Sequence, residues 1–82
     1  MSHFSAHVNV MLKEGISDPQ GQTIERALPA LGYEGVGGIR VGKRIELQVE
    51  AGSAEEAHER VEEMCERLLA NTVIESYEVD IS

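Results

Sequence analysis

The sequence predicts an α+β domain of the ferredoxin-like kind, β-α-β-β-α-β, with a four-stranded antiparallel sheet covered on one face by two helices. Three observations carry that expectation. Apolar residues alternate with polar ones in stretches near both ends and in the middle of the chain. Two stretches of helical period lie between them. Each helical stretch opens on a capping signal. The 82 residues form one domain, 1–82, with no linker long enough to divide it.

The first strand alternates Phe4, Ala6, Val8, Val10 and Leu12 with Ser5, His7, Asn9 and Met11. Lys13–Ser17 is a polar loop. Asp18-Pro19-Gln20-Gly21 then starts a helix. An Asp at the cap accepts from free amides, and Pro at the first helical position gives up only an amide that has no partner there. Ile24, Ala27, Leu28 and Leu31 fall on one helical face. Pro29 predicts a kink or an early end, and Gly32 closes the helix.

Tyr33–Gly38 is a glycine-rich connection. Its Gly35-Val36-Gly37-Gly38 run is no phosphate loop, because it neither follows a strand nor opens a helix. Ile39 and Val41 begin a second strand. Gly42-Lys43 suits a two-residue hairpin turn with Gly first. The third strand, Arg44–Glu50, alternates Ile45, Leu47 and Val49 with charged and polar residues.

Ser53 and Glu56 form a capping box for the second helix. Ala54, Ala57, Val61, Met64, Cys65, Leu68 and Leu69 make its apolar stripe. Glu56–Arg60 and Glu63–Arg67 are i,i+4 ion pairs, against the like-charged Glu55–Glu59, Glu59–Glu63 and Glu62–Glu66. Asn71, a residue that tolerates left-handed backbone, is placed to end the helix. Tyr77, Val79 and Ile81 form the apolar side of the last strand. The open sheet face is expected to show Ser5, His7, Asn9, Met11, Arg40, Glu46, Gln48, Glu78 and Asp80.

Composition narrows the function. The net charge of −8 opposes binding to nucleic acid or to an anionic membrane. No window reaches 18 apolar residues, and Met1–Leu12 alternates instead of running apolar as a signal peptide does. A single Cys suits a reducing compartment, so the expected location is the cytoplasm. A chain this short has a marginal core, for which oligomerisation is one remedy.

No catalytic constellation is visible. His3, His7 and His58 are scattered and lack the convergent partners of a metal site. Cys65 lies in the apolar stripe, where it packs as a small hydrophobe. Arg40, Lys43 and Arg44 concentrate basic charge on one hairpin, which reads either as a solvated turn or as a receiver for a phosphate or carboxylate. The Glu-rich helix face reads as solvated, or as a docking surface for a basic partner.

Three segments, VMLKEGISDPQG (10–21), IRVGKRIE (39–46) and MCERLLANTVIESY (64–77), resemble PurS, the small-subunit family of bacterial phosphoribosylformylglycinamidine synthase. They occur in the right order and spacing. The resemblance implies a homodimer or homotetramer without catalytic residues, cofactor or metal of its own. It acts beside a glutaminase subunit, which releases ammonia, and a synthetase subunit, which uses ATP and Mg. The small subunit would bridge the two and help ammonia pass without loss. Candidate partner-contact residues are Asp18, Pro19, Gln20, Gly21, Arg40, Lys43, Arg44 and Asn71. The competing reading is a ferredoxin-like regulatory module that binds a small metabolite at a dimer interface. A stand-alone enzyme using His7 or Cys65 is a third.

Overall fold

A computed structural model describes residues 2–82. Its elements are β1 (Ser2–Leu12), α1 (Pro19–Ala27), a 3₁₀ turn (Pro29–Leu31), β2 (Gly42–Ala51), α2 (Ala54–Met64), a π turn (Cys65–Leu69) and β3 (Glu75–Ile81). The sheet has three strands in the order β2-β1-β3, all antiparallel.

β1 is central because it is the most apolar strand and carries both ladders. Its register sets Ala6 opposite Leu47 and Ile81, Val8 opposite Ile45 and Val79, and Val10 opposite Lys43 and Tyr77. Antiparallel partners project from the same face, so the even-numbered residues of β1 face α2. Ala6, Val8 and Val10 are buried there, with Val49, Ala51, Ala57, Val61, Cys65 and Ala70. The other face presents Ser5, His7, Asn9 and Met11 with Gln48, Glu46, Asp80 and Glu78. Arg44, opposite Asn9, holds the place expected for Arg40.

α2 starts as its capping box predicts. The Glu56 amide donates to Ser53 Oγ at 3.1 Å, while the Glu56 carboxylate accepts from Gly52, one residue earlier than the standard box. That carboxylate is therefore not paired with Arg60, which donates instead to the Glu50 carbonyl. Glu63–Arg67 forms as expected, at 3.4 Å. The helix end departs from expectation. Asn71 is not left-handed, since no described residue other than glycine has a positive φ. The chain instead widens, with the Ala70 amide donating to the Cys65 carbonyl, and leaves the helix at an extended Ala70.

The fourth strand is absent among the described residues. Gly42 and Lys43 do not turn; they lie in the β1 ladder opposite Met11 and Val10. Ile39 and Val41 have other bonds. Their amides donate to the carboxylates of Glu25 and Asp18, at 3.1 and 2.8 Å. A donor held by a carboxylate is not available to a sheet ladder.

The first helix also differs from expectation. Pro29 ends α1 early, and Gly32, at φ 93°, closes the 3₁₀ turn behind it. Among the described residues, α1 makes no substantial contact with a strand or with α2. One helix, not two, covers the sheet. Ile24 and Leu31 are 41% and 71% exposed. The radius of gyration, 16.5 Å, exceeds the roughly 12 Å of a compact chain this long. The molecule measures 53 × 25 × 14 Å.

Candidate functional site

The carboxylate of Asp18 is the junction of the extended part of the molecule. Asp18 caps α1 as its sequence context predicts, with Oδ1 accepting from the Gly21 amide at 2.9 Å. Oδ2 accepts from Val41, 23 residues on in the chain. One side chain thus starts the helix and ties it to the strand entry of β2. Those two backbone donors, Gly21 first, hold the Asp18 carboxyl below the ordinary carboxylate range, with Arg40 helping. Gly21 is the one buried residue of α1. A Cβ there would stand 2.5 Å from the Ile39 carbonyl, so the close approach of α1 to residues 39–41 needs glycine.

Two open clefts flank this junction. The first, about 450 Å³, has an apolar floor of Val10, Leu12, Pro19 and Val41 with Asp18, Gln20, Lys43 and Glu75 at its rim. The second, about 440 Å³, lies on the other side, between Lys13–Ile16 and Gly38–Arg40, and is far more polar. Arg40 closes over the sheet end, its guanidinium donating to the Leu12 carbonyl. Lys43 has no ion-pair partner among the described residues.

The structure therefore gathers Asp18, Pro19, Gln20, Gly21, Arg40 and Lys43 at one end of the sheet. Asn71 joins them indirectly. Its amide donates to Glu75 Oε1 at 2.7 Å, and Glu75 is on the cleft rim. Arg44 is apart. It sits on the open sheet face, paired to Glu46 at 3.2 Å. Glu25 and Glu75 are the members that sequence reasoning missed. Nothing local marks Glu25, whose contact with Ile39 spans 14 residues. Glu75 was accessible through strand register, since it lies opposite Leu12.

The other chemistry-bearing side chains are spread out. Among the described residues, no cluster of three His, Cys, Asp or Glu has the arrangement of a metal site. Cys65 is fully buried, and burial, with Glu62 and Glu66 nearby, pushes its thiol up and away from the reactive thiolate. His3 and His7 face Glu50 and Glu46 on the open sheet face, at 2.9 and 3.9 Å. His58 pairs with Glu62 along α2. Among the described residues, no helix is long and apolar enough to cross a membrane.

The family model of PurS, phosphoribosylformylglycinamidine (FGAM) synthase, matches residues 5–82. The chain belongs to the PurS family. PurS chains are subunits of FGAM synthase, an ATP-dependent ligase complex of purine biosynthesis. The PurS subunit of Synechocystis is 42% identical over the whole of this chain and 83% of its own length. That of Bacillus subtilis is 44% identical, over 95% of this chain and 92% of its own. Among solved structures, a chain of PurLQS from Thermotoga maritima superposes with a TM-score of 0.90 at 41% identity and full coverage of both chains. PurS of Methanocaldococcus jannaschii gives 0.86 at 40%, over 96% and 95%.

Proposed function

We propose that this chain is the non-catalytic coupling subunit of its FGAM synthase, bridging a glutaminase and a synthetase so that ammonia released by one reaches the other. In this reading ATP and its magnesium belong to the synthetase, the complex works in the cytoplasm, and this chain supplies surface. The observation that carries it is the match, end to end, with a chain that forms part of a PurLQS structure. The shape agrees. A three-stranded sheet under one helix leaves α1, its 3₁₀ turn and the loop to Val41 with uncovered apolar groups, including Leu31, Tyr33 and Val36. Exposed apolar groups in a segment held by only a few polar bonds suit a partner's surface. We assign Asp18, Gly21, Arg40 and Lys43 to that contact, and a homo-oligomer to the open edges of the sheet.

Reconstitution tests it. The chain is mixed with the matching glutaminase and synthetase, and glutamine-dependent synthesis is assayed beside ammonia-dependent synthesis. A coupling subunit is needed when glutamine supplies the nitrogen and dispensable when free ammonia does. Equal glutamine-dependent rates with and without it contradict the reading. The cleft beside Lys43 favours one competitor, since 450 Å³ is within the range of small-ligand sites. Calorimetric titration of the isolated chain with anionic metabolites separates the two, because the coupling reading expects no tight binding.

A further inference from the structure

We infer that the connection between α2 and β3 is a second docking surface, whose occupant is an amphipathic helix of another subunit with carboxylates beside its apolar edge. This rests on the assembly role proposed above. The apolar stripe of α2 runs through Ala57, Val61 and Cys65, each fully buried. Helical spacing would carry it on to Leu68. The π turn prevents that. Its extra residue rotates the chain, and Leu68 emerges 83% exposed. Such turns cost helical regularity and recur at functional positions.

The chain that follows is built firmly, and it carries a second exposed apolar group. The Asn71 carbonyl accepts from Ile74 and Glu75, at 3.0 and 2.7 Å, and Asn71 Oδ1 accepts from Val73 at 3.3 Å. The Lys13 amide donates to the Ile74 carbonyl and anchors the turn to the end of β1. Val73 is nevertheless 80% exposed, and it and Leu68 are the most exposed of the large apolar residues described. An ordered backbone that holds two apolar side chains in water has pre-paid the entropy of presenting them.

Charge selects the occupant. Beside Leu68 lies a groove of about 350 Å³ lined by Arg60, Glu63, Met64, Arg67, Leu68 and Leu69. Both arginines of the otherwise acidic α2 and its π turn line it, Arg67 already paired to Glu63 at 3.4 Å. Arg60 donates to a backbone carbonyl and has no carboxylate partner among the described residues. An apolar helix edge flanked by carboxylates matches this groove. A second copy is the competing occupant, and the self-association of the variants below decides between the two.

The test uses the reconstituted three-subunit complex, with assembly followed by sedimentation. The Leu68→Ser/Val73→Ser variant is expected to assemble about tenfold more weakly, with its melting and its own oligomeric mass unchanged. Arg67→Glu is expected to weaken assembly most at low salt. Unchanged assembly of both variants overturns the inference. So does a loss of self-association by Leu68→Ser/Val73→Ser, which would make a second copy the occupant. If the wild-type chain itself fails to join the partners, the assembly reading falls before any variant is compared.

Discussion

The two halves of this molecule are held together by different forces. The sheet and α2 share one dry core, in which Val8, Val61 and Cys65 are completely buried. Residues 13–41 bury only Gly21, and they are fastened by carboxylates and a guanidinium: Asp18 to Gly21 and Val41, Glu25 to Ile39, Arg40 to Leu12. Hydrophobic burial is non-directional and cooperative, so the first half has a stability of its own. A few partly exposed hydrogen bonds each contribute little in water, so the second half is positioned more than it is stabilised. A segment of that kind opens at low cost and is suited to being completed by a partner.

The largest break of this contrast is in the core. Val8→Ala is expected to cost about 2–3 kcal/mol of global stability, read as a lower urea midpoint. Ser53→Ala removes the cap of the helix that covers the sheet and is expected to cost about 1 kcal/mol, again as a global loss. Changes in the extended segment should act differently. Asp18→Asn or Gly21→Ala should leave the urea midpoint nearly in place, while the amides of residue 21 and Val41 exchange roughly tenfold faster. A drop in midpoint equal to that of Val8→Ala would mean the two halves unfold together.

The smallest effects are set by pH. Asp18 has a lowered folded pKa, so its contribution is complete at neutral pH and is lost as the pH falls through that lowered value. Protection at Val41 should persist through the ordinary carboxylate range near pH 3.8 and disappear below it. Tyr77 donates to Glu66 at 2.8 Å and its phenol is pushed up to about 12, chiefly by that bond. The sign is opposite. Its contribution is complete below pH 10 and is lost as the pH rises towards 12. Ultraviolet titration should show it, and Glu66→Gln should bring the midpoint down.

What the sequence disclosed follows the same division. β1, β3 and α2 were legible because burial imposes a period, and Asp18-Pro19 and Ser53–Glu56 were legible because caps act over three residues. The state of Ile39 and Val41, expected as a strand of their own, and the packing of α1 were not. Ile39 and Val41 alternate as a strand does, but their amides are claimed by Glu25 and Asp18, 14 and 23 residues away. Gly42-Lys43 has turn composition, yet the β1 ladder extends through it. The outward turn of Leu68 depends on one widened turn that no residue type signals. Of the candidate contact residues, those around Asp18 came together because a local cap also makes a distant bond. Arg44 belongs to a different face because a ladder position, not its neighbours in the chain, fixes its direction.

The most direct test of this account compares amide exchange in the isolated chain and in the complete complex. Residues 13–41 and the connection after α2 are expected to gain strong protection on assembly, while β1 and α2, already protected by their own core, change little. Residues 13–41 exchanging equally fast in both states would contradict it, because the uncovered half would then have no partner to complete it.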